Sequence, residues 1–185
     1  MNSIKYMLKN LVFRMRGDYT TEKLILMGLK VGKNFTRMNG TILDPSHCWL
    51  ITIGDNVTIA PRVHILAHDA STCSIVGYAK IGRVNIGNNV FIGAESIVLP
   101  NTSIGNDVVI GAGSVVTKNI PSGSVAVGNP ARIIMSYNDY CQKIKSKLLE
   151  SPIYDESYTL RSRELSEQKK MEMYNDLNNT IGFVK

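Results

Sequence analysis

Three features of the sequence predict an all-β solenoid, a left-handed parallel β-helix of hexapeptide repeats with helices before and after it. The first is period. Residues 86 to 121 divide into six consecutive hexads, from Ile86-Gly87-Asn88-Asn89-Val90-Phe91 to Val116-Thr117-Lys118-Asn119-Ile120-Pro121, each opening with Ile or Val and carrying a small or β-branched residue at its fifth place. The second is that the frame persists upstream in Ile53-Gly54-Asp55-Asn56-Val57-Thr58, Ile59-Ala60-Pro61-Arg62-Val63-His64 and Ile65-Leu66-Ala67-His68-Asp69-Ala70. The third is that Gly follows the opener in four of the six downstream hexads, where Gly or Asn can give a sharp corner its backbone freedom. A period of six suits neither a helix nor an alternating strand. It suits one short strand and one turn per hexad, with the opener pointing inward and stacking on its counterparts. Three hexads close a triangular coil, so residues 86 to 121 make two coils and residues 53 to 70 one more. Such prisms coil left-handed, against the usual right-handed crossover.

The remaining elements follow in order. Residues 3 to 16 and 20 to 29 are predicted as helices, the second opened by Thr20 or Thr21 with Glu22 close behind. The solenoid starts irregularly at Val31-Gly32-Lys33-Asn34-Phe35. It is interrupted by a non-hexad insertion from Asp69 to Arg83, the kind of excursion that shapes a site. After Pro130-Ala131-Arg132 the period changes, and residues 136 to 149 and 162 to 177 are predicted as helices. Residues 178 to 185 carry no clear pattern. The domain reading is therefore 1–30 helical, 31–134 β-helix, and 135–185 a C-terminal helical extension.

Composition narrows the function classes. At 185 residues and 44% hydrophobic, the chain can bury one core. Its three cysteines, Cys48, Cys73 and Cys141, are odd in number and scattered, which argues for a reducing compartment and against a disulfide scaffold. With no apolar run of membrane-spanning length and no signal-peptide core, the expected location is cytoplasmic. The net charge of +6 is local: residues 1 to 37 hold eight Lys or Arg against Asp18 and Glu22. That block lacks the aromatic interleaving of a nucleic-acid face. Ile4, Leu8, Leu11, Val12 and Met15 form one side of a helical wheel ringed by Lys5, Lys9, Arg14 and Arg16. Such a helix packs on the prism or a neighbouring subunit, or associates weakly with an anionic membrane surface.

Several of these stretches carry a family resemblance. Ile53-Gly54-Asp55-Asn56-Val57, the His68-Asp69 step, Ile110-Gly111-Ala112-Gly113-Ser114-Val115-Val116-Thr117-Lys118-Asn119-Ile120-Pro121 and Val127-Gly128-Asn129-Pro130-Ala131-Arg132 resemble the hexapeptide-repeat O-acetyltransferases, especially the maltose, galactoside and polysaccharide-modifying branches. The match covers residues 31 to 134. It implies a homotrimer with acetyl-CoA in a groove between prisms and a histidine as general base. The outward faces that would meet neighbours include Val90 and Phe91. Direct transfer to a sugar or glycan hydroxyl then needs a base that is largely neutral near pH 7, which suits imidazole.

The resemblance places the base at His68. Asp69 is a candidate to orient an imidazole and equally a loop cap. On the cofactor side it implies Gly93, Ala94, Gly111 and Ala112 along the pantetheine, and Thr117, Lys118 and Arg132 toward the phosphates. On the acceptor side it offers Asn39, with Asp44 and Trp49 in the same early coil; a lone tryptophan can stack on a sugar face or pack at an interface. His64 and His68 are four residues apart, which in a strand-and-corner solenoid does not give the one-face geometry of a metal pair, so no metal is expected. Two other readings remain: N-acetylation of an amino-sugar nucleotide, and a non-catalytic scaffold binding metal through His47, His64 and His68.

Overall fold

The structure is a computed structural model in which residues 19–185 are described. The helix predicted over residues 3 to 16, and with it the basic segment proposed for a membrane surface, lies outside the described residues. The chain divides into two compact units, residues 1–137 and 138–185.

In the first unit the hexads become coils, each laying one strand on each of three sheets. The first coil contributes β1 (Lys30–Val31), β2 (Thr36–Arg37) and β3 (Ile42–Leu43), and the second β4 (Ile51–Ile53), β5 (Thr58–Ile59) and β6 (His64–Ile65). An antiparallel pair then leaves the prism: β7 (His68–Asp69) and β8 (Lys80–Ile81), joined by a short helix α2 (Cys73–Val76). α1 is Thr21–Leu26. The third coil holds β9 (Val84–Ile86), β10 (Val90–Ile92) and β11 (Ile97–Val98), and the fourth β12 (Thr102–Ile104), β13 (Val108–Ile110) and β14 (Val115–Val116). β15 (Ser124–Val127) begins a fifth coil and is covered by antiparallel β16 (Arg132–Ser136). The sheets run β1-β4-β9-β12, β2-β5-β10-β13-β15-β16 and β3-β6-β11-β14. Within the coils every pairing is parallel.

The openers Ile53, Ile59, Ile65, Ile86, Ile92, Val98, Ile104, Ile110 and Val116 are all buried, and so are the fifth-place residues Val57, Val63, Val108 and Ile120. Each aliphatic side chain removed from water in this way contributes about 1.5–3 kcal/mol. Where the fifth place is polar, its hydroxyl is satisfied: Ser96 donates to the Gly111 carbonyl at 3.0 Å, Ser114 to the same carbonyl at 2.6 Å, and Thr102 to the Leu99 carbonyl at 2.7 Å. Val90, expected on an outer wall beside Phe91, is instead 1% exposed, while Phe91 is 43% exposed. Neighbours along a strand point to opposite faces, so only one of the two can be outside.

The corner chemistry also differs from the expectation. Gly54 and Gly87 do not have positive φ. They are needed because the coils touch: a Cβ on Gly54 would lie 2.7 Å from the Gly87 carbonyl oxygen, and one on Gly87 2.8 Å from that of Gly105. The left-handed conformation falls two residues later, on Asn34, Asn56, Asn89 and Asp107 (φ 54 to 56°). Asn and Asp tolerate it best among residues with a Cβ. Stacked one per coil, they form a ladder in which Asn34 donates to Asn56 at 2.9 Å, Asn56 to Asn89 at 3.0 Å and Asn89 to Asp107 at 2.9 Å.

Ahead of the first coil, Thr20 caps α1 by accepting from the Lys23 amide at 3.2 Å. Leu24 and Leu29 join the core cluster that includes Leu43 and Cys48. The helix is shorter than the predicted 20 to 29, since the chain turns through Gly28 at φ 108°. The second unit holds most of α3 (Tyr137–Leu149), then β17 (Ile153–Tyr154), α4 (Glu167–Asp176) and β18 (Phe183–Val184). Ser166 caps α4 by accepting from the Lys169 amide, so the helix begins five residues after the predicted start. The tail without a sequence pattern pairs in parallel with β17.

Candidate active site

The local departures from the hexad rule converge at one corner. The first coil spends extra residues between β3 and β4, which fold into a single tight turn over Cys48–Leu50. Register places Leu43 beside Ile65, so Asp44 leaves its sheet next to the segment that runs through Ala67 into His68. The Asp44 carboxylate has no exposed surface and lies 2.6 Å from His68 Nδ1 through Oδ2. The same oxygen accepts from the Ala67 amide at 2.8 Å, and Oδ1 accepts from the Ser46 amide at 3.1 Å. An ionised carboxylate only accepts, so the proton of a neutral imidazole here sits on Nδ1 and leaves Nε2 with a free lone pair. His68 is also held by its backbone, since it is the first residue of β7 and pairs with Ile81. Its side chain remains 36% exposed.

Two more rings extend the corner. His47 lies 5.3 Å from His68 and 5.2 Å from Trp49, centroid to centroid. Trp49 is half exposed, whereas His47 Nδ1 is buried without a hydrogen-bond partner. Cys48 is buried between them in sequence but turns away, its thiol donating weakly to the Leu24 and Met27 carbonyls. Burial pushes that thiol's pKa up, which makes it a poor nucleophile.

The two roles open for Asp69 separate clearly. Its carboxylate accepts from the Ser71 amide at 2.8 Å and pairs with Lys80 at 2.7 Å. The Lys80 ammonium and the Ser71 amide hold that carboxyl well below the usual range. It caps the excursion; the aspartate against the imidazole is Asp44. His64 belongs to neither group: it lies on β6 between Ile42 and Ile97.

The other residues singled out from sequence fall into two places. Asn39, Gly93, Ala94, Gly111 and Ala112 line one corner, where the chain enters the β3-β6-β11-β14 sheet. The register Ile42–His64–Ile97–Val115 stacks Asn39 over Ala94 and Ala112. At this corner Gly113 donates its amide to the Ala94 carbonyl at 2.8 Å, and Ala112 is exposed. Thr117 and Lys118 sit at the other end of the same sheet, two coils along from His68, and both are exposed. Arg132, on β16, follows Ala131, whose amide donates to Val115. Asn39 is thus separated from Asp44 and Trp49 by the length of β3, although all three were grouped on the acceptor side.

Comparison with known proteins adds to this geometry. The family model of the bacterial transferase hexapeptide (six repeats) matches residues 83–118. Protein CapG of Staphylococcus aureus is 36% identical over 157 residues, covering 82% of this chain and 88% of that protein. Among solved structures, a maltose O-acetyltransferase from Clostridium difficile 630 is 43% identical, with a TM-score of 0.53 over 59% of each chain. A galactoside acetyltransferase in complex with coenzyme A is 35% identical, with a TM-score of 0.52 over 62% of this chain and 58% of that one. The chain therefore spans a little under three fifths of the two solved enzymes. With matching repeats, three parallel sheets of stacked coils and coverage of nearly all of CapG, the chain belongs to the bacterial hexapeptide-repeat transferases and is an acyltransferase.

Proposed function

We infer that the protein transfers an acetyl group from acetyl-CoA to a hydroxyl of a sugar or glycan, with His68 as general base. The observation that carries this reading is the buried Asp44 carboxylate on His68 Nδ1. It leaves Nε2 as the accepting nitrogen at a partly open corner. As the acceptor oxygen attacks the thioester carbonyl, its proton passes to Nε2, and the developing imidazolium is stabilised by Asp44. The carbonyl oxygen gains charge and is met by backbone N–H groups at a coil corner. Collapse of the tetrahedral intermediate releases the coenzyme thiolate, which takes up the proton. Asp44, grouped by sequence with the acceptor residues, is here a positioning residue, because its carboxylate has no exposed surface to offer a sugar.

Ala112 is exposed and Ala94 partly so, and that edge is read as the path of a pantetheine arm. Gly93, which is buried, and Gly111 act instead through the close approach of the neighbouring coil, since a Cβ on Gly93 would run into the Ala112 amide nitrogen. Lys118 and Arg132 offer exposed cations to phosphates. Trp49 presents a half-exposed ring beside the base, suited to the apolar face of a pyranose. The prism is read as left-handed and as one third of a homotrimer, with the outward Phe91 facing a neighbour. The three cysteines are unpaired and no described helix is long and apolar enough to cross a membrane; both fit action in the cytoplasm.

The test is release of free thiol from acetyl-CoA in the presence of a panel of mono- and oligosaccharides, with mass analysis of the product. An acetyl ester on a sugar is the expected product. Acetylation confined to amino sugars, on nitrogen, would overturn the O-transfer reading. Sedimentation should give about three times the 20.5 kDa chain mass, and an active monomer would overturn the shared groove.

A further inference from the structure

Among the described residues, Asp44, His47 and His68 are the one group of three His, Cys, Asp or Glu side chains whose ligand atoms converge, all within 4.8 Å of one another. Two features set this corner apart from an ordinary hydrogen-bonded one. His47 Nδ1 is buried and has no partner, although buried polar atoms are nearly always satisfied. Beside it, a wholly buried carboxylate oxygen and an imidazole nitrogen already stand 2.6 Å apart. The sequence spacing drew attention to His64 and His68 as the metal-like pair; the fold brings His47 to His68 instead.

We propose that this corner binds one divalent transition-metal ion, with zinc the best match, and that the ion switches the transferase off. Two imidazoles and one carboxylate are a donor set that zinc takes, with a fourth position left open. Ligand atoms about 2.0–2.2 Å from a tetrahedral zinc stand roughly 3.3–3.6 Å apart. Reaching that spacing asks Asp44 and His68 to part by roughly 0.7–1.0 Å and His47 to close by up to roughly 1.5 Å.

The consequence for catalysis is a matter of proton placement, and it rests on the proposed base. A neutral imidazole has one N–H and one lone pair. Zinc on His68 Nδ1 occupies that nitrogen's lone pair, so the imidazole proton moves from Nδ1 to Nε2 and none is gained or lost. The nitrogen that must accept the acceptor's proton is then already protonated. Transfer stops without any change in the coils.

Binding is tested without an acceptor. Metal-stripped protein is titrated with zinc against a chromophoric chelator, and with cobalt(II) followed by visible absorption. One ion per chain and a four-coordinate cobalt spectrum are expected. His47→Gln should weaken binding by at least about tenfold, since losing even an outer-shell partner costs that much, while His64→Gln should leave it unchanged. Circular dichroism confirms that both variants fold. Absence of stoichiometric binding, or equal binding by His47→Gln, overturns the site whatever the protein acetylates. In the thiol-release assay, stoichiometric zinc should abolish turnover, a chelator should restore it, and His47→Gln should resist the inhibition. Zinc bound at one per chain with turnover unaffected would overturn the switch.

Discussion

The coils from Val84 to Val116 and the stretch from Asp44 to Arg83 are built on opposite principles. In the first, every position repeats: aliphatic openers stack, Gly87 lets the next coil approach, and Asn89 and Asp107 continue the corner ladder. Nothing there breaks the frame, and its polar side chains either continue the ladder between coils or close their own turn, as Thr102 does on the Leu99 carbonyl. In the second, the frame is broken twice, by the turn at Cys48–Leu50 and by the excursion that starts at β7. Those two breaks put Asp44, His47, Trp49 and His68 at one corner. Regular repetition gives a stacked wall, and the irregular insertions mounted on it bring the titratable side chains together.

If that division holds, mutations should separate rate from stability. The largest effect is expected for His68→Ala, a loss of about 10²- to 10⁴-fold in turnover in a protein that still folds, with a lower melting temperature because the buried Asp44 carboxylate loses a donor. A residual rate near that of the unaltered protein would remove His68 as the base. Asp44→Asn sharpens the comparison, because an amide can donate to Nδ1 and force the proton onto Nε2. Turnover should fall about tenfold or more, with some loss of stability, as Asp44 also holds the Ala67 and Ser46 amides. Full activity in that variant would argue against a required tautomer.

On the regular side, Gly87→Ala should destabilise the protein by about 1–3 kcal/mol, the usual cost of overpacking. The thermal midpoint should drop while the specific activity of the folded fraction stays level. A neutral result would mean that neighbouring coils can part more easily than their 2.8 Å approach suggests. Lys118→Ala with Arg132→Ala should raise the acetyl-CoA KM and leave kcat nearly untouched, since phosphate contacts hold ground and transition states alike. An unchanged KM would return both to ordinary surface charge. Asn89→Ala should cost least, about 1–2 kcal/mol for a left-handed Ala, and Asn89→Gly less still, as measured by denaturant titration.

Much of the fold was legible because the inward position recurs every six residues and water penalises any other arrangement. The stacking of Ile86, Ile104 and their counterparts follows from that alone, and so does the place of the excursion. The purpose of the glycines was misjudged. Their sequence position suggests a turn, yet Gly54 and Gly87 are set by the distance to the next coil, a quantity that exists only once coils stack. His68 was marked by resemblance, at the step where the hexads give way. Asp44 stands among the acceptor residues in the sequence reading, and His47 enters it only through the metal-binding scaffold. β3 and β6 are in register at an offset of 22 residues rather than the 18 of three regular hexads, which brings Asp44 level with Leu66. The remaining two residues to His68 are spanned only because the chain leaves the sheet there.

By itself the sequence determined which hexad openers face inward, where the coils run and where the excursion after His68 leaves them, because burial and backbone sterics act on neighbours along the chain. Only the tertiary structure decided that Asp44 rather than Asp69 meets the imidazole, that His47 rather than His64 joins it, and that Asn39 stands apart from both. Those contacts join residues separated by about one coil of chain, and their geometry depends on how an irregular turn and an excursion fold against the stacked wall. No local rule of period or propensity carries that information. It arises when the wall is assembled and two breaks in its pattern arrive at the same corner.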